Sequence, residues 1–418
     1  MCQRVTDVDW RTWTYPTISL YYCSQKESPS RGTKGAKMAS ATKKITSKES
    51  KQVSGKAKWT FMVFMAGDNN LDGAALRDIT EMAQAGSTAE VNIIAQLDRA
   101  GATPTRRFKI TKGGGYKKDV IAELGETNTG DPAVLADFLK WAVKDYPAEH
   151  YFLVLWNHGS GWWEDERKKK GIAYDDTDND YLNNVELTSV LETFMQATGE
   201  KVDILGMDAC LMTMVEVAYQ LQDTVQFIVG SEIEEPFEGW PYHTILKYLT
   251  QHPKVTPSVL AVETAKLYVK SYANTTEDVT QSVIATAKLD PITLKLNELV
   301  KLLLDPALAK AAQSAVAAAW RVTPKFYNNM YLDLYRFAAN LQKKATGEVR
   351  LKAGELLKTL VVSAKNSVIY NGTHGKFAKD MKGLAIYFPP ANVNTAYYDL
   401  HFSRDCQWAE YLKTYCNQ

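Results

Sequence analysis

The chain predicts an α/β fold: a mostly parallel central sheet flanked by helices, with a helix-rich C-terminal region. Three observations point there. Apolar runs of strand length alternate with amphipathic segments from about residue 58 to 230. Several runs are apolar almost throughout, as strands covered on both faces must be. Two of them end on reactive side chains, His158 and Cys210, where ligands sit in parallel sheets.

Lys58–Ala66 reads as a buried strand, and Gly67–Asp72 as a turn carrying a helix N-cap signal. Gly73–Ala85 then has helical spacing, and Val91–Leu97 is the next strand. Arg106–Thr111 and Lys118–Leu124, bounded by Gly-rich turns, predict a hairpin. Asp131 and Pro132 open a helix running to about Lys144, with proline in the first turn where its missing N–H costs nothing. The strand Tyr151–Asn157 follows, then a helix over Asn184–Ala197, a strand over Val202–Met207, a helix over Leu211–Leu221 and a strand over Val225–Gly230. From about Thr256 the pattern is mostly helical, with strand-like exceptions at Gln281–Leu289 and Lys382–Pro389.

These boundaries divide the chain into a basic disordered arm (1–58), a catalytic α/β core (59–255) and a helix-rich region completing the fold (256–418). Residues 24–58 are rich in Lys, Ser, Thr and Gly and too poor in large apolar side chains to order themselves. No aromatic residues interleave the charges of this arm, so nucleic acid is not the expected partner. The net charge of +1 argues the same way for the whole chain and predicts no pull toward anionic membranes. No apolar run is long enough to span a bilayer and no signal peptide is visible, so a cytoplasmic monomer is expected. Five scattered cysteines, none in a C-x-x-C pair, fit a reducing compartment rather than a disulfide framework or a structural zinc site.

The chemistry concentrates at the two strand ends. A thiol is mostly protonated at neutral pH and becomes a strong nucleophile when a base or a positive field favours the thiolate. Cys210 precedes the predicted helix, which suggests help from its N-terminus, and His158 is the base available to it. The amides of Gly159 and Cys210 are the candidate oxyanion donors. Ser160, in His-Gly-Ser-Gly, lies outside the G-x-S-x-G elbow of serine hydrolases and is a weaker nucleophile candidate. His150, His243, His252, His374 and His401 have no comparable setting.

Asn157–Trp162 (NHGSGW) and Gly206–Met214 (GMDACLMTM) resemble the His-Gly and Asp-Ala-Cys motifs of the clostripain family of cysteine peptidases. Phe64–Leu71 (FMAGDNNL), Leu124–Pro132 (LGETNTGDP), Ser231–Tyr242 (SEIEEPFEGWPY) and Gly383–Pro389 (GLAIYFP) resemble further blocks of that family. The resemblance covers Trp59 to the C-terminus. It implies a caspase-like fold, endopeptidase activity through a His158–Cys210 dyad without an obligatory third member, and cleavage of polypeptides after Arg or Lys. It also implies that Asp208 is the substrate-binding anion, since a carboxylate pairs with a cationic side chain, bidentately if that is Arg. The competing role for Asp208 is a helix cap.

Residues 163–171 form a polar loop between the His and Cys motifs. The resemblance implies self-cleavage there, with Arg167, Lys168, Lys169 and Lys170 as the candidate sites. The acidic run Asp175–Asp180 is not an EF-hand, because Tyr181 stands where that loop needs Gly and Leu187 where it needs Glu. It is read as a turn with helix-capping groups. Glu232, Glu234, Glu235 and Glu238 form a second acidic loop that either flanks a groove for basic peptides or is simply solvated. No cofactor is required by this chemistry. Metal ligands are not assigned, calcium being the one candidate cation.

Overall fold

The computed structural model describes residues 56–101, 103–163 and 171–416. In chain order, β1 (Ala57–Gly67), α1 (Asp72–Ala85), β2 (Val91–Arg99), β3 (Thr105–Lys109), β4 (Val120–Gly125), α2 (Pro132–Asp145) and β5 (Ala148–Trp156) lead to the first motif. The short hairpin β6 (Ile172–Asp175) and β7 (Asp180–Leu182) follows, then α3 (Asn184–Thr198), β8 (Val202–Asp208), α4 (Val215–Gln220), β9 (Val225–Gly230), α5 (Tyr242–Gln251) and α6 (Pro257–Ser271). The remainder comprises β10 (Val279–Ala285), α7 (Asp290–Leu303), α8 (Ala309–Val322), β11 (Lys325–Phe326), β12 (Tyr331–Asp333), α9 (Leu334–Lys344), α10 (Gly347–Thr359), β13 (Val368–His374), β14 (Ala385–Tyr387), α11 (His401–Asp405) and α12 (Trp408–Cys416).

Nine strands form one sheet in the order β13-β10-β9-β8-β5-β1-β2-β3-β4. The five central strands, β9 to β2 in that order, are parallel, and antiparallel pairs extend both edges. Alternate residues of β1 explain the coverage. Phe61, Val63 and Met65 join a core with Ile79 and Met82 of α1, Leu246 of α5 and Leu260 of α6. Phe64 faces the other way and meets Phe138 of α2, ring centroids 5.7 Å apart. Each such fully buried side chain contributes about 1.5–3 kcal/mol. A chain that leaves β1, builds one side of the sheet and returns to β5 on the other creates a switch point at the carboxyl ends of β1 and β5, where open α/β sheets bind ligands.

The C-terminal region contributes two strands of that sheet. β10 overlaps the strand-like Gln281–Leu289 segment but begins at Val279 and ends at Ala285, where a tight helical turn over Thr286–Lys288 takes over. β13 was not apparent in the sequence, because an edge strand reading Val-Ile-Tyr-Asn-Gly-Thr-His is only half buried and lacks a continuous apolar run. β11, β12 and β14 make a separate small sheet. Among the described residues, no helix is long and apolar enough to cross a membrane. Apart from Lys56–Lys58, the basic arm lies outside the described residues.

Candidate active site

Register brings the two motifs together. Trp156 of β5 pairs with Asp208 of β8, so His158 and Cys210 each leave the sheet two residues beyond a paired position on neighbouring strands. Both line one cleft, whose empty volume is about 540 Å³. Between them the backbones pack closely: a Cβ on Gly159 would lie 2.3 Å from the Cys210 carbonyl oxygen. This glycine is therefore demanded by the approach of chain to chain, besides any approach of substrate.

His158 is half-buried. Its Nε2 lies 2.7 Å from Asn70 Oδ1, and its ring stands edge-on to Tyr174, centroids 6.2 Å apart. With Oδ1 as acceptor, Nε2 carries the proton and Nδ1 is the basic nitrogen. Burial lowers the histidine's pKa below its ordinary value, with Asp176 opposing. The ring is accordingly neutral near pH 7.

Cys210 corrects one expectation. The predicted helix over Leu211–Leu221 is only Val215–Gln220, so no helix N-terminus reaches the thiol. Leu211 takes a left-handed conformation, φ 68°. The Leu211 and Thr213 N–H groups donate to Ile233 and Ser231 carbonyls, and Thr213 O accepts from Ala385. These long-range backbone bonds override the local helical preference. Cys210 Sγ instead accepts from the Glu235 N–H at 3.2 Å. Burial pushes its pKa up to about 12, so the thiol is protonated in this conformation.

Three carboxyl groups line the same cleft. Asp208, 6% exposed, accepts from Tyr242 Oη–H at 2.8 Å and is in hydrogen-bond contact with Glu235. Asp78, on the buried face of α1, accepts from Trp156 Nε1–H at 2.7 Å. Burial raises Asp208 to about 7. Burial and then the Asp208 charge raise Asp78 to about 9 and hold Glu235 well above the carboxylate range. At neutral pH the group shares protons, which a bound cation would replace.

Of the second acidic loop, only Glu235 enters the cleft. Glu232 is buried elsewhere, bonded through Oε2 to the Gly383 N–H at 2.7 Å, while Glu234 and Glu238 are exposed. Ser160 is buried, with its hydroxyl donating to Trp163 O at 3.1 Å. Arg167, Lys168, Lys169 and Lys170 lie outside the described residues. The flanks of that segment are joined: Ser160 N–H donates to Gly171 O at 3.2 Å, and Gly159 bridges Ile172. Asp175–Asp180 forms the β6–β7 turn and leads to Asn183, which caps α3 in a capping box with Glu186.

Asn70 and Asp78 were absent from the sequence-derived site. Asp78 carried a signal, since it stands on the apolar stripe of α1 with Ala74, Ala75, Ile79 and Met82. An acid on such a stripe needs a partner or a ligand. Asn70 sits in a turn rich in Asp and Asn, where no local feature distinguishes it.

A thiol and an imidazole at the ends of neighbouring parallel strands are the arrangement expected of a cysteine peptidase. The clostripain family model matches residues 63–415, and the chain belongs to that family. Clostripain from Hathewaya histolytica is 32% identical over 200 residues, which is 42% of this chain and 38% of that protein. The match therefore spans well under half the length of that relative. Two solved structures share the fold. A secreted C11 cysteine protease of Bacteroides thetaiotaomicron, in complex with an irreversible peptide inhibitor, aligns at TM-score 0.66 with 22% identity, covering 84% of this chain and 99% of that one. An inactive zymogen C11 protease from Parabacteroides distasonis aligns at TM-score 0.62 with 22% identity and the same coverage.

Proposed function

We propose that this protein is a cysteine endopeptidase that cleaves polypeptides after Arg or Lys through a thioester acyl-enzyme. The observation that carries this reading is the placement of Cys210 and His158 on one cleft with Asp208, Asp78 and Glu235. A recess lined by three carboxyl groups suits a guanidinium or ammonium side chain.

In the proposed cycle, His158 takes the thiol proton and Sγ bonds to the scissile carbonyl carbon. The carbonyl π electrons move to oxygen, held by the Gly159 and Cys210 amides. Collapse breaks the C–N bond, and His158 delivers its proton to the departing amine. Water then loses a proton to His158 and attacks the thioester, releasing the new carboxylate terminus and regenerating the thiol.

A latent resting form is the second reading, favoured by the Cys210 environment: no helix N-terminus, and a thiol pushed up to about 12. Self-cleavage after Arg167, Lys168, Lys169 or Lys170 is the proposed release. The cytoplasmic location remains part of the proposal, supported by free thiols at Cys210, Cys406 and Cys416.

The test is hydrolysis of fluorogenic peptides ending in Arg, Lys, Asp, Leu or Ala by wild-type and Cys210→Ala protein, with self-cutting followed on gels. Thiol-dependent turnover of Arg and Lys peptides alone is expected. Turnover of Asp peptides would overturn the selector role of Asp208. No turnover by intact or nicked protein would overturn the peptidase reading.

A further inference from the structure

We infer that Asn70 is a positioning residue for His158, the third member of a Cys210–His158–Asn70 arrangement in which its side-chain oxygen fixes the ring and leaves Nδ1 to serve the thiol. The inference rests on the peptidase reading and deepens it, since the family resemblance implies a dyad alone.

Asn70 Oδ1 lies 2.7 Å from His158 Nε2. The structural duties of this turn fall to its neighbour. Asn69 is buried. Its Nδ2–H groups donate to Ala66 O at 2.9 Å and Tyr174 O at 3.0 Å, and its Oδ1 accepts from the Leu71 N–H at 2.9 Å. Those bonds pin the main chain on both sides of Asn70. Asn70 itself is exposed, and among the described residues its side chain has no hydrogen-bond partner but His158. An asparagine just ahead of a helix is expected to cap it. Asn70 does not: α1 has Leu71 at its N-cap and no side-chain bond to its first turn. The amide is turned to the histidine instead.

The surroundings hold the ring from another side. Tyr174, edge-on to His158, is itself fixed by three bonds. Its N–H donates to Asn157 Oδ1 at 3.0 Å, its Oη–H donates to Ser160 Oγ at 3.3 Å, and its Oη accepts from the Gly171 N–H at 2.7 Å. Asn157 Nδ2–H donates to Ala66 O, which Asn69 also holds. The ends of β1, β5 and β6 thus form one frame, and Asn70 is its hydrogen-bonded link to the imidazole. An acceptor on Nε2 has two consequences. It selects the tautomer with a bare Nδ1. It also stabilises the imidazolium formed when the ring takes the thiol proton, because Nε2–H then becomes a stronger donor. A neutral amide does this without drawing a proton onto the ring beforehand, as a carboxylate would.

The experiment compares full-length wild type, Asn70→Ala and Asn70→Asp on a fluorogenic Arg peptide. For Asn70→Ala, kcat should fall about 10–100-fold, the cost of a misplaced reacting group, with KM nearly unchanged. Its melting temperature should stay within about 2 °C of wild type, whereas Asn69→Ala should lower it further. Asn70→Asp should recover most of the lost kcat above neutral pH and move the acid limb of kcat/KM up by about one pH unit or more. The direction follows from the role of base: a ring that holds its proton to higher pH is idle to higher pH. The groups facing His158 are Tyr174 of β6, Asp176 of the β6–β7 turn, Cys210 and, across the cleft, Asp78, Asp208 and Glu235. All are intact in Asn70→Asp, so a moved limb reports the new carboxylate. Nitrogen resonances of histidine-labelled Cys210→Ala protein, with His158 identified through His158→Gln, should show the proton on Nε2, and a mixture of tautomers once Asn70→Ala is added. An unchanged kcat in Asn70→Ala, a melting loss equal to that of Asn69→Ala, an unmoved acid limb in Asn70→Asp, or a proton on Nδ1 in the parent would each overturn the assignment. The spectra need no turnover, so an inactive wild type would sink the peptidase reading while the hold of Asn70 on the ring is still decided.

Discussion

At the scale of single residues, the site is a set of neutral groups awaiting a substrate. His158 is neutral because burial opposes its charge, and Cys210 is protonated for the same reason. Alkylation of Cys210 by iodoacetamide in the resting protein should therefore rise steadily from about pH 7 to about 9 without a plateau; a plateau below pH 7 would mean a preformed thiolate. The carboxyl trio makes the complementary expectation for substrate. Asp208, raised to about 7, must lose its proton to receive a cation. KM for an Arg peptide should fall between about pH 6 and 8, with protons released on binding. Asp208→Asn should lower kcat/KM for Arg peptides by about 10–100-fold, the worth of a charged hydrogen bond, and leave thiol alkylation unaffected.

At the scale of elements, two contacts govern the cleft. Gly159 and Cys210 stand so close that Gly159→Ala would press a methyl group on a backbone oxygen. A loss of about 1–3 kcal/mol in denaturant unfolding is expected, together with loss of activity as the two strand ends are forced apart. Retention of both would show that the loop relaxes freely. The second contact is the joining of Ser160 to Gly171 and Gly159 to Ile172 across the 164–170 segment. A cut within that segment leaves its two flanks joined by these contacts. Replacing Arg167, Lys168, Lys169 and Lys170 together by Ala should give an uncut chain with depressed turnover, and full activity without cutting would remove the need for cleavage.

At the scale of the whole molecule, the C-terminal half is tied to the sheet through a buried acid pair. Glu232, just beyond β9, is in hydrogen-bond contact with Asp333, the last residue of β12. Glu232 accepts from the Gly383 N–H, and Asp333 accepts from the N–H groups of Arg336 and Lys382. Burial raises Asp333 to about 6, and burial and then the Asp333 charge raise Glu232 well above its ordinary value. Both folded values exceed the unfolded ones, so the folded state keeps protons that the unfolded chain releases. Their contribution to stability is fully present below the unfolded carboxyl pKa, about 4, and is lost as pH rises through the folded values. Glu232→Gln preserves a donor to Asp333 and an acceptor for Gly383. It should flatten the dependence of melting temperature on pH between about 5 and 8, and an unchanged slope would assign the loss to other groups.

The sequence by itself determined the alternating sheet and helices, the family and the two strand ends that carry His158 and Cys210. Those features rest on periodicity and short motifs, which are local. The tertiary structure alone decided which other residues share the cleft. Asp78 and Glu235 come to it from a helix and a loop, and Asn70 reaches His158 from another loop; only the strand order gathers them. It also decided that Leu211–Met214 does not begin a helix, because backbone bonds to Ser231, Ile233 and Ala385 outweigh a favourable helical composition. The acidic run at Asp175–Asp180 shows the same division. Its composition was legible, but the carboxylates beside Asp175 belong to residues 49 to 107 positions away. Contacts of that separation leave no period in a sequence, and only the closed fold makes them neighbours.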